Sequence, residues 1–226
     1  MKRTILLLIL SIIFINVSAQ ISVGPKIGIS LANVSTPQII EAITPDFRNL
    51  PGFEAGIVSE YRFSDRISLI AELNYREKGF RIREDFGLRL FDIPIPVGVG
   101  MDARFRYLEV PVLGKFYLQK HNLVSIYLFA GPTLSYAMSG RIRTVANVLF
   151  DLELANINLD LDKLGHNRFE LGALAGMGTE FHAGSGNIFV DIRYHRGFSE
   201  MYNLPVIKTD IRHHSFGLNI GYRVEL

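Results

Sequence analysis

The chain has 226 residues, 48% of them hydrophobic, with 20 glycines and no cysteine. Its 24 basic and 22 acidic residues nearly cancel, which excludes the basic stripe that a nucleic-acid partner demands. The missing cysteines exclude a disulfide framework and a lipid-modified cysteine at an exported N-terminus.

Residues 1–19 read as a signal peptide. Lys2 and Arg3 form a basic start, Ile5 to Ile15 is an apolar run broken only by Ser11, and Val17-Ser18-Ala19 puts small residues ahead of Gln20. The run is too short to span a bilayer as a helix, which takes about 20 apolar residues. Cleavage near Ala19-Gln20 leaves 22 basic and 22 acidic residues in one domain, 20–226. A 20-residue apolar stretch is missing from that domain too, yet it is rich in Phe and Tyr. A membrane barrel reconciles the two, because only every second strand residue must be apolar.

Eight segments with a period of two follow, at 21–33, 52–63, 67–79, 103–118, 123–137, 168–182, 188–197 and 212–226. The second sets Phe53, Ala55, Ile57, Ser59, Tyr61 and Phe63 against Glu54, Gly56, Val58, Glu60 and Arg62. In the last, Phe216, Leu218, Ile220, Tyr222, Val224 and Leu226 share one face. Short turns are predicted at Ser64-Asp65-Arg66, Gln119 to Asn122 and Ala183 to Asn187. Long loops are predicted near 34–51, 80–102, 138–167 and 198–211. Alternating short and long connections predict an eight-stranded antiparallel up-and-down transmembrane β-barrel, all-β, in the outer membrane of a Gram-negative cell. Pro25, Pro111 and Pro132 fall inside predicted strands, where each removes a ladder donor, so bulges or register shifts are expected there.

Alternation alone does not distinguish this from a soluble barrel with its apolar face inward. The aromatics decide the orientation. Phe53, Tyr75, Tyr136, Phe169, Tyr194 and Phe216 fall at the external ends of the apolar face, and Tyr61, Phe63, Phe116, Phe181 and Tyr222 at the periplasmic ends. Such girdles suit the two headgroup layers. The centre of that face carries no charge, and a Lys or Arg facing lipid there would cost about 2–4 kcal/mol. The other face carries Glu54, Glu60, Glu72, Glu109, Glu170, Glu180, Asp191 and Glu225 alongside Lys26, Arg62, Arg76, Lys115, Arg168, Arg193 and Arg223, interleaved with Gly and with Tyr107, Phe129 and Phe189. An eight-stranded lumen is only wide enough for side chains, so these charges are expected to pair and plug it.

The run Tyr107-Leu108-Glu109-Val110-Pro111-Val112-Leu113-Gly114-Lys115-Phe116 resembles a strand of the PorT-like outer-membrane β-barrel (porin) family common in Bacteroidota. Gly24-Pro25-Lys26-Ile27-Gly28, Gly52 to Arg66, Glu72 to Phe80, Ala130-Gly131-Pro132 and Leu218 to Tyr222 extend that resemblance over nearly all of the mature chain. It implies the barrel fold, the outer membrane as location, its lipid and the barrel-assembly machinery as partners, and a link in some members to type IX secretion. Leu226 departs from the aromatic end that many such proteins carry.

The sequence predicts no enzyme, cofactor or metal. The best catalytic candidates are His195, Asp210, His213 and His214 with Ser199, near the outer rim, but they form no nucleophile motif. Adjacent His213 and His214 on a strand point to opposite faces and would not share an ion. The acids among residues 150–162 lack EF-hand spacing and read as a hairpin protruding beyond the membrane or an amphipathic turn lying on the rim. Gly172, Gly176 and Gly178 face the lumen and make room for long neighbours. The expected role is to anchor in the membrane and present external loops for binding or adhesion. The alternatives are a small porin and an accessory part of type IX secretion.

Overall fold

A computed structural model describes residues 20–35, 47–48, 50–85, 89–90, 93–94, 97–120, 123–148, 151–161, 167–199 and 212–226. The leader, residues 1–19, and most of the predicted loops 34–51 and 198–211 lie outside them.

Eight strands form the wall: β1 (Gln20–Ser35), β2 (Leu50–Arg62), β3 (Ile67–Asp85), β4 (Val97–Lys120), β5 (Val124–Val148), β6 (Phe169–Ala183), β7 (Gly186–Gly197) and β8 (Arg212–Glu225). Each pairs antiparallel with the next, and β8 pairs with β1 from Ser22↔Glu225 to Ser35↔Arg212, which closes the barrel. Closure satisfies every strand's backbone groups without an edge, which hydrocarbon requires.

Local chemistry sets the turns at one end. Between β2 and β3, the Ser64 hydroxyl oxygen accepts from the backbone N–H of Arg66 (3.3 Å) and Ile67 (3.1 Å). Between β6 and β7, Ala183 pairs with Gly186 across two residues, and Gly184 takes φ +64°, which a tight hairpin needs from glycine. We call this the turn end. Gln20 and Leu226 lie here too.

At the other end, the loop end, the wall is longer than the alternation predicts. β3 continues to Asp85, β4 starts at Val97 and β5 runs to Val148. A further strand, Asp151–Leu159, folds back on β5 with pairs from Gly140↔Leu159 to Asn147↔Asp151. Much of the predicted loops 80–102 and 138–167 is therefore sheet, and the latter is the expected hairpin. Phe105, Tyr107, Ala137 and Leu161 pack in a small core inside this extension.

The prolines behave differently from expectation. Register is unbroken across all three: Val23↔Val224 and Lys26↔Gly221 flank Pro25, Ala71↔Val112 and Asn74↔Glu109 flank Pro111, and Pro111↔Thr133 and Gly114↔Ala130 flank Pro132. Each proline leaves a two-residue gap in one ladder only, because a strand residue offers its N–H to one neighbour and not to both. The β4–β5 bulges fall instead at Arg106/Tyr107 and Tyr117/Gln119.

Candidate functional site

The strand period sorts side chains cleanly. Ile27, Ile29, Ile57, Leu73, Val112, Leu134, Leu171, Ile192, Leu218 and Ile220 point outward and are exposed, while Lys26, Glu54, Glu72, Arg76, Glu109, Lys115, Glu180, Asp191, Arg193 and Arg223 are buried within the barrel. This protein hides its charges and displays its aliphatics.

The buried charges form three connected layers. Nearest the turn end, the Lys115 ammonium donates to Glu60 Oε2 (2.9 Å) and Glu180 Oε2 (2.6 Å). Arg223 donates to Glu180 at 2.5 Å and pairs with Glu60 as well. The Tyr117 hydroxyl donates to Glu60 Oε1 at 2.9 Å, and Lys115 lies 4.4 and 4.1 Å from the Tyr117 and Tyr127 ring centres.

Midway, Lys26 donates to Glu54 (2.5 Å) and Glu72 (2.7 Å). Arg193 reaches Glu72 at 2.8 Å while its fork grips both Asp191 oxygens at 2.6 and 3.0 Å. Toward the loop end, Arg76 donates to Glu109 Oε1 (3.0 Å) and to the Ser215 hydroxyl (2.7 Å). Lys78 lies 3.0 Å from both Glu109 and Glu170, and the Ser135 hydroxyl donates to Glu109 at 2.9 Å. Single carboxylates thus meet two cations, the arrangement that offsets the penalty of removing charge from water.

Apolar groups fill the remaining space. Val58, Ile70, Leu113, Leu174, Phe129 and Phe189 pack together inside the barrel. The Arg193 and Arg223 guanidiniums lie over Phe129 and Phe189, at 5.3 and 4.9 Å.

Three predicted lumen charges lie at its ends. Arg62 and Glu225 pair at 3.6 Å at the turn-end mouth, partly exposed. Arg168 precedes β6, donates to the Ala137 carbonyl at 3.5 Å and lies over the outward Tyr136 ring. Arg62 and Glu225 keep the inward parity of Glu60 and Arg223, and Arg62 bonds the buried Tyr117 at the mouth; only Arg168, ahead of β6, has left the period of two. Lys78 and His195 are the inward groups that sequence reasoning missed. Both share the parity of recognised neighbours, Arg76 for Lys78 and Arg193 for His195.

The aromatics lie where register brings them side by side. Phe169 pairs with Tyr136 and Tyr194 with Phe216, ring centres 5.1 and 4.9 Å apart, toward the loop end. Phe53 and Tyr75 continue this level on β2 and β3. Toward the turn end, Tyr61 and Phe63 meet at 4.7 Å, Phe116 and Phe181 are exposed, and the Tyr222 hydroxyl donates to the Ala183 carbonyl at 3.1 Å.

A family model described as "outer membrane protein beta-barrel domain" matches residues 16–203. The chain belongs to that family. Its members lie in the outer membrane, so the outward aliphatic face of this barrel meets lipid. A search of curated proteins finds no match. Among solved structures, the attachment invasion locus protein Ail of Yersinia pestis is 17% identical, with 90% of this chain and 99% of that one covered and a TM-score of 0.42. The Neisserial surface protein A is 16% identical, covering 91% and 97%, TM-score 0.42. OprG of Pseudomonas aeruginosa is 10% identical, covering 92% and 96%, TM-score 0.48.

Within this outer-membrane barrel the rim candidates for catalysis that fall among the described residues, His195, Ser199 and His214, do not converge. His195 is buried in the lumen, its Nε2 3.0 Å from the Thr133 hydroxyl and 3.3 Å from Glu109. Ser199 uses its hydroxyl oxygen to accept from the Leu171 N–H at 2.9 Å. His214 neighbours inward Ser215 on β8 and so faces the other way. Asp210 and the His213 side chain lie outside the described residues. Among the described residues no group of three His, Asp or Glu is placed to hold a metal ion.

Proposed function

We propose that this protein is a non-enzymatic outer-membrane barrel whose lumen is plugged by its own ion pairs and whose work is done at the loop end, by binding or adhesion. The observation that carries the reading is the pair of crossbars through the lumen. Lys115 on β4 bonds Glu60 on β2 and Glu180 on β6, and Arg193 on β7 bonds Glu72 on β3. Bonds across an eight-stranded lumen leave little room for a solute. The extended hairpin of β5 with Asp151–Leu159 gives the loop end an ordered surface to present.

The resemblance of Tyr107 to Phe116 to a PorT-like strand supports placing the chain nearer that branch of the family, with the barrel-assembly machinery as the partner during insertion. Planar-bilayer recording of the purified protein tests the plug. We expect no reproducible conductance at neutral pH; steady unitary channels would refute it in favour of a small porin.

A further inference from the structure

We propose that the outward face of the loop-end extension is a clamp for the phosphate of an outer-leaflet glycolipid headgroup. The site is a recess of about 260 Å³ on the outside of the wall, lined by Arg104 and Arg106 of β4, Arg141 and Arg143 of β5, and the strand Asp151–Leu159. It rests on the membrane orientation above, but not on the plug.

The charge arrangement is the first argument. Arg104 stands directly opposite Arg141 in the β4–β5 ladder, and Asn158 stands opposite Arg141 in the next. Like charges directly opposite each other destabilise a sheet, so the Arg104–Arg141 pair is a cost to the fold. Three carboxylates share the recess. Glu77 meets Arg104 at 3.1 Å and Arg106 at 3.7 Å, Glu153 meets Arg143 at 2.6 Å, and Asp102 is gripped at 2.6 Å by both donors of Arg81. Arg141 turns its Nε to a neutral acceptor, Asn158 Oδ1, at 3.2 Å. With Arg81 counted, five guanidiniums face three acids, so the recess keeps a positive excess. Planar guanidiniums set side by side suit the oxygens of a phosphate.

Depth is the second argument, and it selects a lipid. On β4 the outward sequence runs from Val110 to Leu108, then Arg106 and Arg104. On β3 it runs from Leu73 to Tyr75, then Glu77. Leu108 pairs with Tyr75 on one side and Tyr136 on the other, at the level of the aromatic girdle. Two to four residues further, at about 3.3 Å each along a tilted strand, place Arg106 and Arg104 about 5–10 Å above that girdle. A headgroup layer is about 5–8 Å thick, so Arg106 lies within it and Arg104 at its outer edge. Arg104, Arg106 and Arg143 keep 40–47% of their side-chain surface exposed.

The test uses the full mature barrel in nanodiscs of a zwitterionic lipid doped with phosphorylated lipid A, its dephosphorylated form, or neither. Lipid retained after extraction is counted by native mass spectrometry. We expect the protein to retain the phosphorylated glycolipid over the dephosphorylated one, and the double variant Arg104→Gln, Arg141→Gln to retain about tenfold less, for the loss of two charge-assisted bonds at an exposed site. Its melting temperature should be nearly unchanged, since relief of the like-charge contact offsets the loss of the exposed Glu77–Arg104 and Arg141–Asn158 contacts. Should the double variant not fold, single Arg104→Gln carries the same comparison. Equal retention of the two glycolipids, or by wild type and variant, would overturn the proposal. So would displacement of the lipid by a molar excess of inorganic phosphate, which would make the recess a free-phosphate site. A conducting wild-type barrel would overturn the plug and leave this result standing.

Discussion

Replacing Lys115 with methionine removes the cation that joins Glu60 to Glu180. The side chain is fully buried, with bonds of 2.9 and 2.6 Å to the two carboxylates and two tyrosine rings under the ammonium. Methionine keeps most of the volume, so packing is nearly constant. Breaking a buried pair by deleting one partner costs about 3–5 kcal/mol, because the other charge is left uncompensated. Here Arg223 still reaches both carboxylates, which puts the expected loss at about 3 kcal/mol. For a domain of this size that is a fall of about 6–12 °C in melting temperature. The assay is the temperature at which the compact band on an unboiled gel converts to the unfolded one. Adding Glu180→Gln to Lys115→Met restores charge balance and should recover most of the loss. If Lys115→Met melts with the wild type, or the double variant is no better than the single, the ionic layer is not what holds the lumen together.

Other perturbations probe other parts of the wall. In Gly176→Ala the new methyl would be driven into the Ile192 carbonyl and the Phe129 ring; overpacking of this kind costs about 1–3 kcal/mol, read as a lower conversion temperature on the same gel. Leu134→Lys puts a cation on the outward face between the girdles and should cost about 2–4 kcal/mol, seen as a lower folded yield in lipid vesicles. Shortening the hairpin by removing residues 144–156 takes the last β4–β5 pairs, Met101↔Thr144 to Val97↔Val148, with it, yet should leave the compact band intact, because β5 meets β6 only between Val124 and Tyr136; loss of the band would show that the extension is needed to fold.

The spanning part of the wall was legible because lipid imposes a strict rule there. Ile27, Ile57, Leu134 and Leu218 must alternate with inward groups, and the sequence shows it. Beyond the girdle the rule lapses. Ile82-Arg83-Glu84-Asp85 and Val97-Gly98-Val99-Gly100 belong to strands, yet neither face has to be apolar, so the pattern fades before the hydrogen bonding does. The same fading hid Lys78, one step past Arg76. The place of His195 near the end of the predicted strand 188–197 suggests a rim position, whereas its pairing with Leu174 and Ser215 sets it among inward neighbours. The prolines make no bulges because a missing donor does not by itself shift register. An antiparallel ladder absorbs the loss as a local gap when the neighbouring pairs hold register, as Val23↔Val224 and Lys26↔Gly221 do around Pro25.

Everything functional here depends on which side of the strands meets acyl chains. The chain has no cysteine, so single cysteines at Leu134, Leu218 and Asn158 can each carry a fluorophore in bilayers containing brominated acyl chains. The account predicts strong quenching at Leu134 and Leu218 and little at Asn158. Unquenched probes at Leu134 and Leu218 that react freely with a water-soluble maleimide would contradict it.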